Sequence, residues 1–201
     1  MKLYSLTIYK LQQKLEEPIV LYSIINSKEF SIFVQSDAKK VLIEIGREVI
    51  KRVTPKMYYS INEEREYVKG VVHAYVNNNQ GCVIISDNKY PVKHINVMLS
   101  QSLNVMTNSF NIASVKNDMQ ITNDSINKLF VDNINYLKND KIIKIQNELD
   151  ETKTIMINSV DKLLERNVKL EDLLIRSDKL SNESKIFLTN SEKLNSCCNI
   201  I

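Results

Sequence analysis

Apolar residues recur at alternating intervals of three and four along the last quarter of the chain, from Ile142 to Leu194. Because a straight helix drifts by about 20° per heptad from a strict seven-residue repeat, this pattern predicts a helix that supercoils against other helices. Such a helix would be roughly 80 Å long, more than a domain of this chain could bury. We call these positions the seam; its apolar members are Ile142, Ile145, Leu149, Met156, Leu163, Leu170, Leu173, Leu180, Phe187 and Leu194.

Arg166 stands in the middle of the seam, at a position that the repeat assigns to the core. A guanidinium is costly to bury unless it is hydrogen-bonded, so one interpretation is a break in register with the side chain reaching solvent. The repeat continues unbroken on both sides, which favours a polar core residue that specifies partner and alignment. The other polar seam positions carry only small side chains: Thr152, Ser159, Ser177, Ser184 and Ser191.

Upstream of the seam, the pattern changes to short strands and shorter helices. Alternation and β-branched residues predict strands over 3–9, 19–25, 68–76 and 82–86, with a turn at 77–81. Apolar stripes predict helices over 37–53, 91–109 and 124–137, whereas 111–120 fits either an edge strand or a loop. Strands flanked by helices are typical of a small α+β domain.

Composition excludes several classes of function. The 27 Lys and Arg residues nearly balance the 24 Asp and Glu residues, so charge gives no indication of nucleic-acid binding. No apolar run approaches the 18 or so residues of a membrane span, and polar residues interrupt any N-terminal signal peptide. Three cysteines, two of them adjacent, do not form a disulfide framework and suit a reducing compartment such as the cytoplasm.

Candidates for catalysis or metal binding are few. His73 and His94 lie on different predicted elements without the spacing of metal ligands, and each is expected to be a surface or core residue. Cys82 opens a predicted strand and is expected to be a small buried apolar side chain. A Cys82–His73 nucleophile pair on neighbouring strands is the one enzymatic alternative within this domain. The sequence therefore predicts that the protein is not an enzyme and holds no metal.

The last five residues predict lipid attachment. Cys198, followed by Asn199, Ile200 and Ile201, fits a prenylation box, and Cys197 is a candidate for palmitoylation. Asn199 departs from the aliphatic pattern, and Ile201 leaves farnesyl and geranylgeranyl both open. The box follows directly after a predicted coiled coil that lacks a membrane span.

Two stretches within the seam resemble the motif of R-SNAREs, the synaptobrevin-like fusion proteins: 148–153 (Glu-Leu-Asp-Glu-Thr-Lys) and 163–167 (Leu-Leu-Glu-Arg-Asn). The opening Met-Lys-Leu-Tyr-Ser-Leu and the sequence Ser-Asp-Asn-Lys-Tyr-Pro at 86–91 extend the resemblance upstream. They are similar to the lipid-anchored, longin-domain R-SNAREs of the YKT type, so the resemblance covers the whole chain.

The resemblance implies a longin (profilin-like) α+β domain over 1–137, with a five-stranded antiparallel sheet flanked by helices. An R-SNARE coiled-coil helix would follow over 138–196, and a lipidated tail over 197–201. Arg166 would form the central layer of a four-helix bundle with Gln from three partner SNARE motifs. The protein would be a cytoplasmic vesicle SNARE that cycles to Golgi, vesicle and endosomal membranes. It would use no cofactor beyond its covalent lipids, and no nucleic acid or small-molecule substrate.

Two alternatives differ in class. The first is a longin-domain trafficking adaptor or tether that merely dimerises through its coiled coil. The second is an acyltransferase-like enzyme that uses Cys82 or the terminal cysteines. Substitution of Arg166 separates the first from a SNARE, and turnover by a Cys82→Ala protein tests the second.

The composition of the seam also predicts how the chain folds when no partner is bound. Its small residues leave it poor in apolar surface, so the lone helix should be marginal in water and should fold back on the N-terminal domain. The stripe Val41, Leu42 and Ile45 would offer a groove, unless these residues face only the core of their own domain. Glu44 lies in the same region, where the family is more aromatic, and predicts a weaker closed state.

Overall fold

A mixed sheet of six strands organises the part of the chain that the structure describes. The computed structural model describes residues 1–12, 16–65, 68–134, 153–164 and 168–188. The strand order is β2-β1-β5-β4-β3-β6, and every neighbouring pair is antiparallel except β3 and β6, which run parallel. The strands are β1 (Leu3–Lys10), β2 (Ile19–Ile25), β3 (Tyr58–Glu63), β4 (Gly70–Asn77), β5 (Gln80–Ser86) and β6 (Thr154–Ile157).

Helices cover both faces of the sheet. Helix α1 (Gln35–Ile50) packs on one face, and α2 (Val92–Ser109) with α3 (Asp124–Ile134) covers the other. Helix α4 (Leu170–Arg176) contacts α1, and residues 182–188 are also helical. Within the described residues, no helix combines the length and apolar character that a bilayer span requires.

The alternation of side chains along each strand builds two apolar cores. Ile61, Val72 and Ile85 point toward α1, whereas Leu6 and Ile84 point toward α2 and α3. All five are fully buried, so both faces of the sheet are covered. This arrangement confirms the predicted α+β class.

A glycine permits the closest approach between α1 and the sheet. Gly46 lies against the Tyr9 ring, and a Cβ atom there would collide with the Tyr9 hydroxyl oxygen. Tyr9 is fully buried, and its hydroxyl donates a hydrogen bond of 2.7 Å to the Ile43 carbonyl oxygen. The tyrosine thus fixes α1 on the sheet through a position where only glycine leaves room.

The sheet differs from the sequence-based prediction in two strands. Strand β3 was not predicted, yet it pairs with β4 along its whole length and is the fifth antiparallel strand. The segment 111–120 is not a strand of the sheet: it contains a short 3-10 turn, Ile112–Ser114. Just beyond, the Met119 and Ile121 amides donate to the Val20 and Leu21 carbonyls, so this stretch covers the outer edge of β2. The sixth strand, β6, comes from the C-terminal part of the chain.

Predicted helix and turn positions are close to those observed. Helix α1 begins two residues before the expected Asp37 and ends at Ile50, and no side chain caps its start. Helix α2 begins directly after Pro91, as expected for proline at a helix start. The β4–β5 connection is a two-residue turn in which Asn78 adopts a left-handed φ of 54°.

The described part of 138–196 is not one long helix in this unpartnered chain. It forms β6, a 3-10 turn (Val160–Lys162), α4 and the helical residues 182–188. A lone helix with so many small seam residues gains little in water, and packing against the domain buries its apolar side chains instead. The long supercoiled helix therefore remains an expectation for the assembled bundle.

Candidate functional site

The described residues between 153 and 188, here called the C-terminal segment, lie on the N-terminal domain, residues 1–134. The contact begins with strand pairing, because β6 aligns with β3 from Tyr58–Thr154 to Ile61–Ile157. At its start, the Asn96 side-chain amide donates to the Thr154 hydroxyl over 2.9 Å. The segment thus continues the sheet of the domain.

Charged and polar groups hold the turn that follows β6. The Arg65 guanidinium lies 2.6 Å from Glu63 and 2.5 Å from Asp161, which bridges the end of β3 to the segment. The Val160 amide also approaches Glu63, and Asp161 accepts a 2.9 Å hydrogen bond from the Leu170 amide. Asp161 therefore orients the start of α4.

Apolar side chains of the segment complete the core on the α1 face. Val41, Leu42 and Ile45 belong to the same buried cluster as sheet residues and the segment. The two interpretations of this stripe are therefore not exclusive, since one core joins the sheet, α1 and the segment. The buried contributors from the segment are Val160, Leu164, Leu170, Leu174, Leu180 and Leu188, none more than 7 % exposed.

Two seam serines of the segment bind acidic residues of α1. The Ser177 hydroxyl donates to a Glu44 carboxylate oxygen at 3.3 Å, and the Ser184 hydroxyl donates to Asp37 at 2.8 Å. Ser184 is fully buried by this contact. Small hydroxyl side chains at these seam positions thus let the segment lie close to α1 while their polar groups remain paired.

Glu44 belongs to a charged network beneath the segment. Arg47 is only 2 % exposed; its guanidinium donates to Glu44 at 3.1 Å, to Asp118 at 2.9 Å and to the Pro18 carbonyl. Lys179 of the segment lies 3.4 Å from Asp118. Glu44 is therefore paired with Arg47 and contacts the segment through Ser177, whereas the weaker closed state expected from this residue stays a prediction.

The network shifts the protonation of its carboxyls in opposite directions. Burial raises the pKa of Glu44, and the adjacent Arg47 guanidinium only partly opposes this shift. Burial also acts to raise the pKa of Asp118, but the hydrogen bonds from the Val20 amide and Arg47 outweigh it and the pKa is lowered. Arg47 thus pairs with two carboxyl groups, those of Glu44 and Asp118, whose pKa values shift in opposite directions because their surroundings differ.

The predicted seam residues do not share one environment in this state. Met156 is 59 % exposed, Leu163, Leu173 and Phe187 are half-buried, and Leu170 and Leu180 are buried. Their common role as layers of a bundle therefore stays a prediction. The remaining predicted site residues lie outside the described residues: Ile142, Ile145, Leu149, Arg166, Leu194, Cys197 and Cys198.

Four buried residues of the segment do not belong to the seam. Val160, Leu164, Leu174 and Leu188 each follow a seam position by one residue. A single heptad frame assigns them to the flank of the helix, and for this reason the repeat does not predict that they are buried. The sequence feature that could have indicated their burial is that they are apolar although the repeat places them at the flank. The domain therefore buries side chains outside the seam as well as seam residues such as Leu170 and Leu180.

The histidine and cysteine candidates do not form a nucleophile site. The Ser60 hydroxyl lies 2.9 Å from Nδ1 of His73, and Nε2 lies 3.1 Å from the Ser86 hydroxyl, which itself donates to the Asp87 carbonyl. Ser86 must then accept from Nε2–H, so Nδ1 accepts from Ser60. Burial lowers the pKa of His73 to about 3, which keeps the imidazole neutral as a link between three strands.

Cys82 and His94 are likewise placed for packing. Cys82 is fully buried opposite Tyr75, and burial raises the pKa of its thiol, so the reactive thiolate is disfavoured. His94 is buried at the start of α2, where Nε2 pairs with the Asn133 side chain at 2.7 Å. The Cys82–His73 pair considered from the sequence is therefore wrong.

Comparison with known proteins gives matches to the C-terminal region and to the whole chain. A family model described as Synaptobrevin matches residues 141–199. VAMP-like protein YKT61 of Arabidopsis thaliana is 34 % identical over 207 aligned positions, with 100 % of both chains covered. The synaptobrevin homologues YKT6 of Debaryomyces hansenii (32 % identical, 100 % of both chains) and Yarrowia lipolytica (31 % identical, 98 % of both chains) also match.

Proposed function

Because the chain belongs to the family of YKT6-type synaptobrevin homologues, we propose that it is a vesicle SNARE that assembles with Gln-bearing partners to fuse membranes. Membership of this family supports a role in vesicle trafficking and implies SNARE partners. The finer assignments that follow rest on the seam and on the terminal cysteines. They support a mechanical function, in which folding of a bundle takes the place of bond chemistry.

Arg166 would be the charged member of the bundle's central layer. The seam runs without interruption for seven positions before it and eight after it, which fits a polar residue held in register. Three Gln side chains from partner motifs would accept hydrogen bonds from its guanidinium, which cannot shed its charge. This layer would align the four helices before the apolar layers close.

Assembly would draw the protein's anchored end toward a second membrane. Burial of each apolar seam residue contributes about 1.5–3 kcal/mol, opposed by the entropy of ordering the helix. The net free energy of assembly would pull on the anchored end of the helix. There Cys198 would carry the prenyl chain and Cys197 the palmitoyl chain. The protein would then work from the cytoplasm on Golgi, vesicle and endosomal membranes.

The match over the full length to YKT6-type relatives, together with the unbroken seam, carries this proposal. The direct test is to mix the purified chain with candidate Gln-bearing SNAREs and to look for a detergent-resistant complex of four helices. A chain that forms only homodimers under these conditions would support the tether instead.

The fold-back observed in the unpartnered chain supports a regulatory role for the N-terminal domain. Residues that a bundle would use, such as Leu170 and Leu180, are buried against the domain. The segment cannot serve both surfaces at once, so the closed state competes with assembly. Its release would be a step that precedes membrane fusion.

Leu174→Gln should open the closed state and leave the bundle intact. Leu174 is 1 % exposed in the fold-back but follows the seam by one position, so a bundle would leave it at the flank. Loss of a buried leucine costs about 2–5 kcal/mol, which the closed state alone would bear. Hydrogen exchange should therefore rise in α1 and β3, and assembly with partner SNAREs should become faster.

Two matched variants make this test specific. Ile175→Gln makes the same chemical change one residue later, at a side chain that is 39 % exposed, and should alter neither exchange nor assembly. Met156→Gln changes a seam residue that the closed state leaves exposed, so it should weaken the bundle without opening the fold. Equal exchange in Leu174→Gln and wild type would show that the fold-back does not depend on this face.

Arg166→Gln should weaken the bundle or shift its register. Hydrogen bonds to a charged group contribute about 1.5–3 kcal/mol, and the central layer would lose its only charged donor. Thermal melting of the assembled complex and a vesicle fusion assay measure the loss. A compensating Gln→Arg in one partner should restore both, whereas normal assembly of the single variant would remove Arg166 from the central layer.

A further inference from the structure

The turn that leads into α1 carries two apolar side chains in a position that turns usually give to polar residues. Phe33 is 90 % exposed and Ile32 is 77 % exposed, more than any other large apolar residue in the described part of the chain. They are the central residues of a turn closed by the Val34 amide, which donates to the Ser31 carbonyl at 2.9 Å. Turns favour Gly, Pro, Asn, Asp and Ser at such positions, so turn formation does not explain this pair.

The turn is firmly held from both sides. The Gln35 side-chain amide donates to the Ser27 and Phe30 carbonyls at 3.0 and 3.3 Å. Phe30 itself turns inward, with its ring 6.3 Å from that of Tyr4. The outward projection of the next two apolar residues is therefore a property of an ordered turn, whose inner and outer aromatic side chains point in opposite directions.

Basic residues lie on both sides of this apolar tip along the chain. Lys28 lies before the turn, and Lys39 and Lys40 lie in the second turn of α1. Three carboxylates share the region: Glu29 is 2.7 Å from Lys2, Asp37 is 3.7 Å from Lys40, and Glu183 of the C-terminal segment interacts with both Asp37 and Lys40. Four lysines against three carboxylates leave a small local positive surplus, which matches the negative surface of cytoplasmic leaflets.

The helical residues 182–188, the last that the structure describes, contact the same end of α1. Ser184 binds Asp37 in the first turn of this helix, four positions after Phe33. Cys198 follows Leu188 by ten positions, a reach of at most roughly 35 Å. An anchor at Cys198 would therefore hold the turn close to the same bilayer and raise its effective concentration there.

We propose that Ile32 and Phe33 insert into the headgroup region of an anionic membrane, with the neighbouring lysines against acidic headgroups. An apolar tip beside positive charge is the arrangement by which peripheral segments bind anionic bilayers. The turn orients the N-terminal domain on the membrane to which the proposed anchor attaches the protein, and in that respect the inference rests on the proposed function. The insertion itself requires no lipidation and is testable without it.

The chain contains no tryptophan, so Phe33→Trp places a single indole at the tip. The test uses the full unlipidated chain with vesicles of phosphatidylcholine alone or with added phosphatidylserine. The emission of Phe33→Trp should shift to the blue and become quenched by brominated lipids only on the acidic vesicles. Val131→Trp, at a 52 % exposed residue of α3 on the other face of the sheet, is the matched control and should not change.

Loss of the tip should also lower vesicle binding. The double variant Ile32→Ser with Phe33→Ser should reduce the fraction that floats with acidic vesicles about tenfold, the effect of 1.4 kcal/mol, and Val131→Ser should not reduce it. An unshifted Phe33→Trp spectrum on acidic vesicles, or an equal shift at position 131, would overturn the proposal. Assembly of the same variants with partner SNAREs should be normal, so a failure of insertion is distinct from a failure of SNARE function.

Discussion

Cys198→Ser should remove the protein completely from membranes. A single prenyl chain gives only reversible binding, and stable anchoring takes a second lipid, which on Cys197 would follow the first. Without Cys198 neither lipid would be attached, so the protein should remain in the supernatant after cell fractionation. Intact-mass measurement on protein from its native host provides the direct check of the modification.

Cys197→Ser is the matched control for this experiment, because it keeps the prenyl chain and removes only the palmitoyl candidate. This variant should cycle on and off membranes, with a bound fraction that falls on washing. A bare C-terminus in the wild-type mass spectrum, or stable membrane binding of Cys198→Ser, would contradict lipid anchoring at these residues.

Arg47→Met should cost about 3–5 kcal/mol of the free energy of unfolding. Removal of one partner from a buried ion pair leaves the other charge without compensation, and here Glu44 and Arg47 are 5 % and 2 % exposed. The Pro18 carbonyl and Asp118 would lose a partner as well. Urea unfolding followed by circular dichroism measures the change.

Two variants separate the network from a general loss of charge on α1. Arg52→Met removes an arginine whose partner, Glu48, lies 2.7 Å away, with both side chains partly exposed, and should cost about 1 kcal/mol or less. Glu44→Leu combined with Arg47→Met removes both buried charges and should be less destabilising than Arg47→Met alone. Equal losses in Arg47→Met and Arg52→Met would show that the buried pair has no special weight.

The sequence predicted the domain well wherever one periodicity dominated. The stripe of α1 and the apolar residues of β1, β2 and β5 gave those elements directly. Strand β3 escaped because its sequence, Tyr-Tyr-Ser-Ile-Asn-Glu, is not a clear apolar alternation. Its inward polar residues have partners elsewhere in the chain: Ser60 hydrogen-bonds His73 on β4, and Glu63 accepts a hydrogen bond from the Val160 amide. Such pairs form only after the chain has folded, so local sequence patterns do not indicate them.

The contacts of the candidate site could be predicted only in part, and the reason differs from the one that applies to β3. The heptad pattern specifies contacts with partner helices, and it says little about which side chains the isolated chain buries. Residues 154–157, Thr-Ile-Met-Ile, fit a seam through Met156 and also have the β-branched composition of a strand. The contact of Arg47 with Asp118 joins residues 71 positions apart, and no spacing rule would have indicated it.

The parallel pairing of β6 with β3 determines how quickly the molecule can respond to a partner. The same four residues are extended in the closed chain and would be helical in a bundle, so they must leave one secondary structure before they enter the other. A hinge motion cannot accomplish this, because the backbone hydrogen bonds of β6 have to break first. Separation of β6 from β3 is then an activated step, whose rate depends on this chain and not on the concentration of the partner. At high partner concentration the assembly rate would therefore reach a plateau. The plateau would equal the rate at which β6 separates from β3.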